Sequence, residues 1–180
     1  VDIDEHASLT EIFEKTCARH RDRTAFSNMG GKLTFAQLDS ETRSFAAYLQ
    51  QVLQMNKGER LAIMMPNLLQ YPIAMFGALR AGLTVVNCNP LYTARELEHQ
   101  LKDSGATAIV VLENFAHTLQ EVLARTPVKT VITTQVGDLL PALKGLITNL
   151  VVKHVKHMVP DWHIEGAVAF KAALAAGSRH

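Results

Sequence analysis

The chain has 180 residues, 48% of them hydrophobic, and 18 Lys and Arg stand against 17 Asp and Glu for a net charge of +1. That balance excludes a nucleic-acid partner argued from charge, and the length suits one domain or part of a larger one. Two cysteines, Cys17 and Cys88, show no disulfide pattern, as expected in a reducing cytoplasm.

The opening "VDIDEHASLTEIF" is acidic and lacks the apolar run of an export signal. No stretch of about 18 apolar residues follows to span a bilayer. Three capping boxes punctuate the chain: Ser8 with Glu11, Thr34 with Gln37, and Thr93 with Glu96. After Ser8, Leu9, Ile12, Phe13 and Cys17 recur at helical spacing; after Thr34, so do Phe35, Leu38, Phe45, Leu49 and Leu53. Between them "TAFSNMGGKLTF" predicts two short strands about a Gly30-Gly31 turn.

A βα rhythm then sets in. Residues 60–65 predict a buried strand, and 67–81 a helix that tolerates Pro72 near its first turn and stops at Gly82. Residues 84–87 predict the next strand, and 93–104 a helix ended by Gly105. A strand over 108–112, a helix over 114–125 and a strand over 128–133 complete the run. Apolar strands separated by helices mean an α/β fold: a mostly parallel, doubly wound sheet with right-handed crossovers. A flavodoxin-like order 2-1-3-4 is expected, preceded by an N-terminal helix and a β-hairpin. The chain divides into residues 1–56 (helix, hairpin, helix), 57–136 (βα core) and 137–180 (amphipathic helical extension).

In that extension Leu143, Ile147, Leu150, Val151, Val155 and Met158 share one helical face, with Lys144, Lys153, Lys156, His154 and His157 largely away from it. Two readings are open. The preferred one is a helix packed on the sheet with a solvated basic face. The other is contact with an anionic membrane through Lys144, Ile147, Lys153 and Lys156. A short helix over 170–176 follows.

Familiar site chemistries fail on missing residues. A dinucleotide fold needs Gly-x-Gly-x-x-Gly after its first parallel strand, where this chain reads "MMPNLLQYP". The glycines cluster only at Gly30-Gly31, so no Walker-type loop is present, and the strand ends Met65-Pro66-Asn67 and Asn87-Cys88-Asn89 lack a receiver domain's acidic residues. His154, His157 and His163 have passable metal spacing, but only Asp161 and Glu165 stand near, and a solvated face is the simpler reading. His99 reads as surface, and Cys88 as a small buried residue without a base. No catalytic, cofactor-binding or metal residue is assigned.

Three segments carry a resemblance. "KLTFAQLDSETRSFAAYL", "KGERLAIMMPN" and "GALRAGLTVVNCNPLYTARELEHQLKDSGA" resemble early core motifs of the adenylate-forming enzymes. The wording Asn89-Pro-Leu-Tyr-Thr-x-x-Glu-Leu97 is similar to that of acyl-CoA synthetases, in particular the bacterial long-chain fatty-acid–CoA ligases. The resemblance implies a two-step reaction using ATP, magnesium, a long-chain fatty acid and coenzyme A. It also implies a cytoplasmic enzyme, peripheral at the inner membrane, with a homodimer among the expected states. The family's phosphate loop and catalytic-lysine motifs do not occur here, so these residues alone are expected to be inactive. The turn at Asn89 reads as scaffold, with Pro90 fixing the backbone, Thr93 capping and Tyr92 packing; a part in shaping the acyl pocket is the alternative. A non-catalytic scaffold module, or a ligase for aryl or medium-chain acids, are the alternatives.

Overall fold

A computed structural model describes residues 7–180. Helix α1 (Leu9–Arg19) is capped by the Ser8 hydroxyl, which accepts from the Glu11 amide, while the Glu11 carboxylate accepts the amide of Ala7. Strands β1 (Thr24–Asn28) and β2 (Gly31–Thr34) form the expected antiparallel hairpin. Its turn is Met29-Gly30 rather than Gly30-Gly31. Both residues have positive φ, +48° and +76°, as a type I′ turn requires. Helix α2 (Phe35–Ala47) starts at the complete Thr34–Gln37 capping box and unwinds into a π-helical turn over Tyr48–Val52.

The βα core follows: β3 (Arg60–Met64), α3 (Gln70–Arg80), β4 (Thr84–Asn87), α4 (Ala94–Ser104), β5 (Ala108–Leu112), α5 (Ala116–Val122) and β6 (Thr130–Thr134). Pro72 sits in the first turn of α3, where its missing N–H costs nothing. Gly105 ends α4 at φ +65°. The helix expected over 114–125 is shorter than its pattern, because 3-10 turns at Glu113–Phe115 and Leu123–Arg125 flank α5. Beyond it, α6 (Ala142–Leu150) passes into a π-helical turn, Val151–Val155, and α7 (Phe170–Gly177) closes the chain.

The sheet runs β4-β3-β5-β6-β7 with parallel pairings throughout, so the expected 2-1-3-4 order holds. The fifth strand, β7 (Val168–Ala169), was not anticipated; it returns the segment past residue 137 to the sheet edge. Two residues carry too little pattern to predict a strand.

Alternation along the strands separates two apolar layers. Leu61, Ile63, Ala108, Val110 and Ile132 face α2, α3 and α7, whose Phe45, Ile73 and Phe170 fill that side. Ala62, Met64, Ile109, Val111 and Val131 face α4 and α5 through Leu97, Leu101 and Leu119. Both faces are therefore covered along β3, β5 and β6, as a parallel sheet demands, while the edge strand β4 is only partly buried.

Candidate functional site

In open α/β sheets ligands gather where the strand order reverses, beyond the carboxyl ends of the strands. Here β3 sends its chain to β4 on one side, and the next crossover carries it to β5 on the other. The strands end in Met65-Pro66-Asn67, Asn87-Cys88-Asn89, Glu113 and Thr134-Gln135.

The Asn89 turn is tied by its own hydrogen bonds. The Asn89 side chain accepts from the Leu91 amide at 3.0 Å, and its carbonyl accepts from Tyr92 at 3.1 Å. Thr93 and Glu96 complete their capping box around the start of α4. Tyr92 packs on the layer beneath α4, as expected, while Leu91 is 81% exposed. Before the turn, Asn87 receives the Tyr71 hydroxyl at 2.9 Å and the Gln100 amide at 2.9 Å. Cys88 is buried, and burial pushes its thiol up to about 11, so it is no nucleophile at neutral pH.

Beside β3, residues Phe26, Asn28, Asn67, Leu69, Tyr71 and Pro72 line a cleft. It follows the start of α3, where a nucleotide phosphate would sit in a dinucleotide fold. Leu69 occupies the N-cap without a side-chain cap, the Gln70 side chain is buried, and Leu68 and Pro72 flank the turn. Those residues do not fit a phosphate, and no step through ATP is assigned to them. Among the described residues no set of three His, Cys, Asp or Glu converges as metal ligands. His99, His154, His157 and His163 are exposed, as expected.

Sequence reasoning missed a polar chain at the ends of β5 and β6. The Gly137 amide donates to Asn149 Oδ1 at 2.7 Å, Asn149 Nδ2 to Gln135 Oε1 at 2.8 Å, and Gln135 Nε2 to Glu113 Oε2 at 2.8 Å. Asp138 Oδ2 accepts from both the Thr134 hydroxyl and the Gln135 amide, and Gln70 Nε2 donates to the Gln135 carbonyl at 2.8 Å. Glu113, Gln70 and Thr134 are buried. The only signal in the sequence is a run of polar residues just after apolar strands.

Through this chain α6 is held to the strand ends. Its only buried residue is Gly145, and a Cβ on Gly145 or Gly137 would overlap the other's carbonyl oxygen. The preferred expectation, a helix packing its apolar face on the sheet, is therefore corrected. Leu143 is 72% exposed and Val155 66%, and Leu146, Ile147, Leu150 and Met158 are also exposed. The helix docks by its narrow glycine side and leaves the apolar side outward. Lys144, Lys153 and Lys156 are exposed, but only the last two are clear of the fold, since Lys144 Nζ lies over the Gly30 turn. Past the π-helical turn the chain is strapped to the α5 side. Asn114 Nδ2 donates to the Met158 carbonyl at 2.9 Å, and Gln120 Oε1 accepts the His163 amide at 2.6 Å.

Comparison with known proteins places this arrangement. The long-chain-fatty-acid–CoA ligase of Escherichia coli O6:H1 is 55% identical over 99% of the chain, and that of Haemophilus influenzae 52% over 98%. The chain spans 32% of the length of each of these two relatives. The anthranilate CoA ligase AuaEII, in complex with anthranoyl-AMP, superposes with a TM-score of 0.73 at 17% identity, covering 92% of this chain and 27% of that one. A long-chain-fatty-acid-CoA ligase from Archaeoglobus fulgidus gives 0.64 at 27% identity, covering 70% and 27%. The AMP-binding enzyme family matches residues 13–169, and the chain belongs to that family.

Proposed function

We propose that the protein to which these residues belong is a long-chain fatty-acid–CoA ligase. It joins ATP and a fatty acid into an acyl-adenylate with release of pyrophosphate, magnesium offsetting phosphate charge, and coenzyme A then displaces AMP. The observation that carries this reading is identity of 55% over nearly the whole chain with ligases of that name. These residues supply the scaffold: a sheet buried on both faces and capped turns at its carboxyl end. The test is fatty-acid-dependent pyrophosphate release by the full-length protein with ATP, magnesium and coenzyme A. Turnover of aryl or medium-chain acids alone would overturn the long-chain assignment, and an inert full-length protein would favour a scaffold module. Residues 1–180 alone are expected to show neither pyrophosphate release nor saturable ATP binding.

We further propose that the exposed face of α6 and its π-helical turn rests on an anionic phospholipid surface, where a long-chain fatty acid is collected. Between Asp138 and Asp161 the chain has no acidic residue, but carries three lysines and two histidines beside the apolar face. Lys153 and Lys156 contribute about 2 kcal/mol at such a surface, a salt-sensitive amount to which the apolar contact adds. Flotation of the full-length protein with phosphatidylglycerol vesicles at low salt tests this. Absence of binding would mean that another part of the ligase, or a second copy of it, covers the face.

A further inference from the structure

Helices in proteins are ordinarily held by burial of an apolar face, and short ones are marginal without it. Helix α6 has nine residues, and the only one buried is a glycine. Its attachment must come from elsewhere.

The polar chain supplies it, and the chain has a direction. One end is the Gly137 N–H, which can only donate. The other is the Glu113 carboxylate, which accepts when ionised and is 5% exposed. With both ends fixed, each amide between them has one orientation: Asn149 accepts from Gly137 and donates to Gln135, and Gln135 accepts from Asn149 and donates to Glu113. Turning either amide over sets oxygen against oxygen or N–H against N–H.

We propose that Asn149 is a positioning residue, and that the directed chain Gly137–Asn149–Gln135–Glu113 is the latch holding α6 with its apolar face outward. The latch joins that face to the carboxyl ends of β5 and β6, the end of the sheet where ligands are expected. Its use in lipid docking rests on the membrane reading above; the latch itself does not. The Gly137–Gly145 contact sets how closely the helix approaches, and Asn149 sets which way it is turned.

The direction can be reversed by design. Asn149→Asp keeps the acceptor for Gly137 but places a second carboxylate oxygen against Gln135 Oε1. Gln135 can answer only by turning over, which points its oxygen at Glu113. Adding Glu113→Gln removes that conflict: the new amide at position 113 donates to the turned Gln135, which donates to the new carboxylate at position 149. The formal charge is unchanged, Gly137 still donates to position 149, and the other two bonds are restored in the opposite sense.

Hydrogen exchange on the full-length protein reads this out across residues 142–155, with the β5 amides as a control for intact folding. Asn149→Asp alone should speed exchange there about tenfold, the scale of one charge-assisted hydrogen bond. Glu113→Gln alone should change it little, since its oxygen still accepts from Gln135. The double variant should return close to the parent. A double variant that exchanges as fast as Asn149→Asp, or no effect of Asn149→Asp with β5 intact, overturns the latch. The same four proteins on phosphatidylglycerol vesicles separate the two ideas. Binding that follows the exchange pattern supports both. A restored exchange pattern with no vesicle binding by the parent leaves the latch standing and removes the membrane reading.

Discussion

Gly137 and Gly145 meet backbone to backbone, each with its carbonyl oxygen lying where a side chain on the other would begin. The contact lets α6 approach the loop after β6 more closely than any residue with a Cβ would permit. Gly145→Ala should therefore cost about 1–3 kcal/mol, the range for forcing atoms into a closed space. The neighbours are backbone and have no rotamer to yield. Thermal unfolding with exchange across α6 checks this; a substitution that leaves both unchanged would show that the approach is looser than described.

The first four strands of the sheet were legible because their centres are apolar, and α2 and α4 because they start on capping residues. Thr34–Gln37 and Thr93–Glu96 form complete capping boxes at the ends they predicted. The packing of α6 was not legible. Leu143, Ile147 and Val155 mark an apolar face, but periodicity gives a face and not its direction, and a glycine that buries a helix looks like any other. The polar chain escaped for a related reason. Glu113, Gln135 and Asn149 lie far apart in sequence, and only the parallel pairing of β5 with β6 brings the first two together.

Arg80 joins three helices. Its guanidinium pairs with Asp39 of α2, stands 3.4 Å from Glu14 of α1, and lies 5.1 Å from the centre of the Phe13 ring, with a side chain 5% exposed. Asp39→Ala should cost about 3 kcal/mol, the low end for breaking a buried pair, because Glu14 remains. Burial pushes the Asp39 carboxyl up, but hydrogen bonds from Arg80 and Arg43 more than offset this and hold it below its ordinary value of 3.8. A carboxyl that titrates lower in the fold than in the unfolded chain stabilises the fold above its unfolded pKa. That stability is lost as pH falls through the folded value. Acid unfolding below pH about 4 should thus be less steep in Asp39→Ala than in the parent; equal slopes would refute the assignment.

Cys88 should resist alkylation. Burial keeps its thiol protonated at neutral pH, and the thiolate is the reactive form. Iodoacetamide at neutral pH should label it only after unfolding, as mass mapping would show. Rapid labelling in the folded protein would mean that the turn after β4 opens.

Met29 has φ +48° in the hairpin turn, a conformation that residues with ordinary side chains adopt at a cost. Its side chain is half exposed, so the substitution removes little packing. Met29→Asn should raise stability by roughly 0.5–1 kcal/mol, since Asn tolerates this region and favours the first position of such turns. A lower melting temperature would reveal that Met29 contributes a contact worth more than the backbone strain.

The central place of β3 has a consequence for synthesis on the ribosome. Ala62 pairs with Val86 on one side and with Ile109 on the other, so the first parallel strand to emerge needs two partners that arrive at different times. β4 closes one edge of β3 as soon as α3 has formed. The other edge stays open until α4 has been made and crossed over. Nascent chains that have emerged only as far as Ala108 thus display a bare strand edge, apolar beyond Arg60, and those that have emerged past Leu112 do not. Chaperone crosslinking should fall sharply between the two lengths, and a yield that stays flat would mean that β3 is not yet folded when β5 emerges.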